Sequence, residues 1–178
     1  LIQNYIMILG IAEAMKYLHK NRIIHRDLKL DKILINDQLY PVICDFGVSR
    51  SYEKLFPNSD KLTMRGVKGT HPFIAPDFLT DVDYYDFYSY GMNGHEYFTK
   101  KVRFSEFCNK ITAASLGIKK TNSHLSSIPE KMQELIEKCW CEKMEEGPSF
   151  EEIISDFSKD SSYLSKSVGI DENNNFYI

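Results

Sequence analysis

Apolar residues return every three or four positions near the start of the chain. Ile8, Ile11, Ala12, Met15, Leu18 and His19 share one face at that spacing, which predicts an amphipathic helix over about residues 2–20. The rhythm then changes. Ile23-Ile24 is a short apolar touch, and Ile33-Leu34-Ile35 and Val42-Ile43-Cys44 are brief β-prone runs separated by Asn36-Asp37, which predicts a small hairpin. From Arg50 to Pro72 the residues are polar and lack a sustained period, as in a long loop. Loops of that size in compact domains are uncommon and usually functional. Helical spacing resumes after Pro76, with one helix over Phe87–Phe98 and a second over Pro129–Trp140, Pro129 suiting its first turn. A third is predicted over Ser149–Phe157, where Ser149 and Glu152 make a capping box. Residues 159–178, rich in Ser, Asn and Asp, are expected to be a disordered tail.

Composition narrows the class without naming it. A chain of 178 residues, 43% apolar and 26% charged, is long enough for one domain with a proper core. Its net charge of −3 gives no reason to expect a nucleic acid or an anionic membrane as partner. The longest nearly unbroken apolar run, Ile6 to Ala12, is far too short to span a bilayer. No signal-peptide pattern opens the chain, so the cytosol is the expected compartment. The first residue is Leu1 rather than methionine, as expected of a piece of a longer protein or of a processed product. Cys44, Cys108, Cys139 and Cys141 fit no zinc spacing and are expected to be reduced, mostly buried thiols.

Three short motifs carry the chemistry. His25-Arg26-Asp27-Leu28-Lys29 is followed by Asp45-Phe46-Gly47 and then by Ala75-Pro76-Asp77. In order and spacing they resemble the catalytic loop, metal-binding triplet and end of the activation segment of the eukaryotic protein kinase family. Further along, Asp86 in Asp-Phe-Tyr-Ser-Tyr-Gly is similar to the aspartate of that family's central buried helix. Lys138-Cys139-Trp140 and Pro148-Ser149-Phe150 resemble its last two helices, so the likeness covers about residues 5–158. The fold it implies is α+β as a whole, with this chain as the mainly helical C-terminal lobe. A small β-hairpin then carries the catalytic and metal-binding loops.

By that resemblance the chain would take part in transferring the ATP γ-phosphate to serine or threonine hydroxyls of a protein substrate, with ATP and Mg2+ as cofactors. Such transfer needs positioning and charge neutralisation more than covalent help. Asp27 would accept or orient the substrate proton, and Lys29 would offset charge on the transferred group. Asp45 would bind magnesium, and Leu34 would lie under the adenine ring. Thr70, after Gly69, would bridge Asp27 and Lys29. His25 and Phe46 are expected as internal packing residues, and Gly47, Asp77 and Asp86 as structural ones. Arg26 would answer a phosphate on the activation segment, for which Ser49, Ser51, Tyr52, Ser59 and Thr63 are acceptors. Lys29 and Thr70 resemble the serine/threonine type, whereas Cys139-Trp140 and Pro148-Ser149-Phe150 resemble the tyrosine-kinase-like group.

The pattern breaks in several places. Lys32 stands where the family has an asparagine that binds a second magnesium ion, and an ammonium has no lone pair to offer. Two arrangements are open: Lys32 pairs with Asp45 and Asp27 as a substitute charge, or it swings outward and leaves a one-metal site. Either is expected to impair catalysis more than rescue it, because fixed metal geometry is central to this mechanism. Asp77 replaces the usual glutamate, and Gly147 stands where its arginine partner would be. Asn93-Gly94-His95 interrupts an expected apolar run and reads as relaxed constraint. No glycine-rich phosphate loop, strand lysine or partner glutamate precedes the first helix, Gly66 and Gly69 being the only candidate glycines. The chain is therefore expected not to catalyse alone. Besides an enzyme fragment, a kinase-like module that works by binding proteins and a truncated product without activity remain open. An exposed apolar surface is expected around Leu34 and Phe46.

Overall fold

The computed structural model of the chain describes residues 2–51, 69–70, 83–100, 128–140 and 147–159. Helix α1, Ile2–Lys20, follows the predicted stripe: Met7, Ile8, Ile11, Ala12, Met15 and Leu18 are buried, while Tyr17 is exposed. Each such isoleucine or methionine removed from water contributes roughly 1.5–3 kcal/mol before entropy is counted. The helix closes at Asn21, whose amide and side chain both return to the Tyr17 carbonyl at 3.1 and 2.8 Å. Arg22 follows at φ 56°, the left-handed step that commonly ends a helix.

Two small antiparallel sheets come next. Strand β1 (Ile23–Ile24) pairs with a later strand, Arg50–Ser51, setting Ile23 opposite Ser51 and Ile24 opposite Arg50. The loop expected from Arg50 therefore starts two residues late, because the backbone groups beside buried Ile24 take partners there. Apart from Gly69 and Thr70, the rest of that loop lies outside the described residues. The predicted hairpin is present as β2 (Ile33–Ile35) and β3 (Pro41–Ile43), with Leu34 opposite Val42; Arg50–Ser51 is then β4. Its connection is longer than Asn36-Asp37, and β3 begins one residue earlier than expected. The cause is Asn36, whose Oδ1 accepts from the amides of Gln38 and Tyr40 at 3.0 and 2.9 Å. That side chain closes a wider loop, with Leu39 at φ 64°.

The described residues hold three further helices: α2 (Asp83–Thr99), α3 (Glu130–Cys139) and α4 (Phe150–Lys159). Met132, Leu135, Ile136 and Cys139 give α3 a buried face toward α2, and Phe150, Ile153 and Phe157 seat α4 against α1. The capping box forms as predicted. The Glu152 amide donates to Ser149 Oγ at 3.1 Å, and the Ser149 amide donates to Glu152 Oε2 at 2.7 Å. These bonds hold the exposed Glu152 carboxyl below its ordinary range, the backbone bond from Ser149 most of all. Under the start of α2 the rings of Phe87 and Phe150 lie 4.5 Å apart, with the His19 ring 5.0 Å from Phe150.

The hairpin rests directly on α1 at Gly10. A β-carbon at that position would sit 2.5 Å from Cγ of Pro41, so helix and strand meet only because residue 10 has no side chain. Cys139 is buried and Cys44 half-buried; Cys108 and Cys141 lie outside the described residues, as do residues 160–178 of the expected tail. Among the described residues no helix is long and apolar enough to cross a membrane. Among the described residues the architecture is mostly helical, with two two-stranded sheets.

Candidate active site

The loop after β1 is held from below by one carboxylate. Asp86, fully buried near the start of α2, accepts the amide of His25 on Oδ2 and the amide of Arg26 on Oδ1, both at 2.9 Å. Oδ2 also meets His19 Nε2 at 2.9 Å. This bidentate grip explains how Arg26 keeps φ 69°, a left-handed backbone that costs a non-glycine residue roughly 1–3 kcal/mol. Leu28 is buried, and its carbonyl accepts Asn93 Nδ2 at 3.0 Å from two turns further along the Asp86 face of α2. Asp27 is thus fixed on both sides by α2.

The His25 ring is equally constrained. The Asp27 amide donates to His25 Nδ1 at 3.4 Å, which leaves Nε2 to donate to the Cys44 carbonyl at 3.2 Å. Its ring centroid lies 5.2 Å from that of Phe46, edge to face; His25 is fully buried, whereas Phe46, expected to be internal, is half exposed. Ser49 Oγ donates to the His25 carbonyl at 3.1 Å, so this proposed phosphate acceptor is half-buried and engaged. Ser51 lies half-buried in β4. Tyr52, Ser59, Thr63 and Asp77 lie outside the described residues.

Two acidic side chains converge on one ammonium. Lys32, buried at the end of a single 3-10 turn (Leu30–Lys32), donates through Nζ to Asp27 Oδ2 in a short ion pair and to Asp45 Oδ2 at 2.9 Å. Of the two arrangements open from the sequence, the inward one is adopted. Burial acts to raise the Asp27 carboxyl, but hydrogen bonds from Lys32 and Thr70 and the charges of Lys32 and Lys29 outweigh it, so it lies below the ordinary range. Burial likewise opposes the Lys32 charge, yet bonding to both aspartates leaves its pKa raised. Asp45 is lowered chiefly by Lys32 and secondly by the Gly47 amide, which donates to Oδ1 at 3.2 Å. Asp45 itself sits at φ 65°. Gly69 takes φ 139°, a turn open to glycine, just before Thr70 reaches Asp27.

Leu34 is 57% exposed and Phe46 47% exposed, and Val42, opposite Leu34 in the hairpin, is bare as well, in line with the apolar exposure expected beside the loop. The interruption at Asn93-Gly94-His95 is not slack, however. All three residues are buried, and the Asn93 amide group spans the Leu28 and Ser89 carbonyls. The sequence carried a signal for this, a polar residue at i+7 from Asp86 in an otherwise buried helix. His19 and Cys44, which hold Asp86 and the His25 ring, carried none beyond apolar periodicity.

The donor set does not suit a divalent cation as it stands. A magnesium ion draws oxygen ligands to about 2.0–2.1 Å, and the point where Asp27 and Asp45 converge is taken by Nζ. Among the described residues no group of three His, Cys, Asp or Glu side chains could hold a metal ion.

A protein kinase domain description matches residues 3–157, so the chain belongs to the protein kinase family. Members of that family generally use ATP and Mg2+. The chain is 37% identical over 154 residues to the RGS domain-containing serine/threonine-protein kinase A of Dictyostelium discoideum, a match covering 83% of this chain and 13% of that protein. It is 34% identical to the dual specificity protein kinase shkA of the same organism, over 83% of this chain and 29% of that one. Rat mitogen-activated protein kinase kinase kinase 12 is 32% identical, over 82% and 16%. The chain therefore spans less than a third of the length of these relatives.

Proposed function

We propose that the chain is the C-terminal lobe of a protein kinase of the serine/threonine type, and that phosphoryl transfer needs a lobe upstream of these residues. The observation that carries this reading is Asp27. Its Oδ1 is buried and accepts no hydrogen bond among the described residues, while Oδ2 is held by Lys32 on a loop pinned by Asp86. A carboxylate kept ionised with one oxygen free is suited to receive a proton. The substrate hydroxyl gives its proton to Asp27, and its oxygen bonds to the γ-phosphorus. The bond from that phosphorus to the bridging oxygen breaks, and ADP leaves. Lys29, half-buried beside Asp27, offsets charge on the moving phosphoryl group. The exposed Leu34 supplies an apolar floor for the adenine base. Arg26 answers a phosphate added at Tyr52, Ser59 or Thr63. The names of the relatives, serine/threonine-protein kinase and dual specificity protein kinase, support the hydroxyl class.

A second reading has its own observation. The double ion pair of Lys32 with Asp27 and Asp45 favours a kinase-like module that acts by binding proteins. Transfer of labelled γ-phosphate from ATP to a serine-containing protein by the complete polypeptide, beside Asp27→Asn, separates the two. The enzyme reading expects the substitution to remove roughly 100-fold or more of the transfer. Transfer that is absent, or indifferent to Asp27, leaves the binding module.

A further inference from the structure

We infer that Lys32 is a resident cation that closes the Asp27–Asp45 pair to divalent metal, so the two loops of this site are joined without one. The inference rests on geometry alone and holds whether or not the complete protein transfers phosphate. Metal ions often bridge carboxylates from separate segments. Here the bridging position is filled by Nζ, which bonds Oδ2 of both aspartates. The second oxygen of Asp45 accepts the Gly47 amide at 3.2 Å, which fixes the orientation of that carboxylate. Two carboxylates and one ammonium carry a net charge of −1. A divalent ion brought to the same point would face a like charge at contact distance, in a partly buried setting where water screens poorly.

The lysine cannot move aside easily, because its other end is fastened to the same segment. The Lys32 carbonyl accepts the Cys44 amide at 2.9 Å and Cys44 Sγ at 3.2 Å. Backbone and side chain of one residue thus grip Cys44 and Asp45 in succession. Swinging the ammonium outward would abandon two charged bonds while the backbone stayed in place. In the family pattern an asparagine at this position offers an oxygen to metal; here the residue supplies the positive charge itself.

Mn2+ is the probe for the test, with free Mn2+ followed by paramagnetic resonance and thermal unfolding measured with Mn2+ or with EDTA. The wild-type chain is expected to show no saturable Mn2+ site that Asp45→Asn removes, and the same Tm in both solutions. Lys32→Asn is expected to bind Mn2+ at least about tenfold more tightly than wild type. Its Tm should rise with Mn2+, and Asp45→Asn added to it should cancel both gains. A wild-type Mn2+ site that Asp45→Asn abolishes would overturn the inference. So would a folded Lys32→Asn chain that binds no better than wild type. If Lys32→Asn does not fold, the comparison of wild type with Asp45→Asn decides alone.

Discussion

Replacing Asp86 with alanine should release the catalytic-type loop from its base. The carboxylate accepts three hydrogen bonds at 2.9 Å, from the amides of His25 and Arg26 and from the His19 ring, and it is fully buried. Alanine leaves the two backbone donors without acceptors, and each buried orphan costs roughly 1–3 kcal/mol. Arg26 also loses the constraint that maintains its left-handed φ, so the loop can relax and recover part of that cost. The net loss should be about 3 kcal/mol, against a total stability for a domain of this kind of roughly 5–15 kcal/mol. Urea unfolding of wild type and Asp86→Ala measures it, and hydrogen exchange at the amides of His25 and Arg26 reports where it arises. A loss below about 1 kcal/mol, with both amides still protected, would refute the reasoning. It would mean that those amides have another acceptor.

Lys32→Met should destabilise by about 1–3 kcal/mol near neutral pH, because it leaves the buried Asp27 charge without its partner while the solvent-exposed Asp45 loses less. The deficit depends on pH in a defined way. Asp27 and Asp45 are lowered, so their share is present above the ordinary carboxylate value of about 3.9 and fades as pH falls through the folded values. Lys32 is raised, so its share is present below the ordinary lysine value of about 10.4 and fades as pH climbs through the folded one. Unfolding curves across pH should therefore show the largest gap between wild type and variant from about pH 5 to pH 9. Ser149→Ala removes the cap of α4 and should lower stability by about 0.5–2 kcal/mol, read as a shift of the urea midpoint at unchanged slope. Asn93→Ala strips the Leu28 carbonyl of its donor and should cost about 1–3 kcal/mol, with the amides from His25 to Lys29 exchanging faster.

Features decided within one turn of chain were readable from the residues. The face of α1 and the Ser149–Glu152 box need only near neighbours, and both occur as expected. The motifs that hold Asp27, Lys32 and Asp45 were also legible, and those three side chains are joined by two ion pairs. What stayed hidden depends on partners distant in sequence. Strand β4 exists because Ile24 pairs with Arg50, and nothing in Arg50-Ser51 alone suggests a strand. Asn93 looked like a lapse in an apolar helix until its contact with Leu28, separated by 65 positions, gave it a task. The direction of Lys32 was open because a long side chain can reach water or carboxylate equally well from the same backbone. Only the placement of Asp45 beside it, through the Cys44 backbone bond, favours the inward choice. The width of the 36–40 loop was hidden for a smaller reason, the double bond of one Asn36 oxygen.

The missing side chain at Gly10 makes helix α1 a reference surface for the chemistry. Pro41 lies against it, β3 runs from Pro41 to Ile43, and Asp45 follows two residues later. The distance from Asp45 to Lys32 is therefore calibrated partly by a contact on the far side of the hairpin, at a position with no polar atom to offer. Error introduced there would travel along the strand as a displacement rather than dissipate, since a short, stiff ladder has few soft torsions to absorb it. A methyl group at residue 10 would thus act as a shim under the instrument, detuning the ion pair while leaving every one of its charged groups in the sequence.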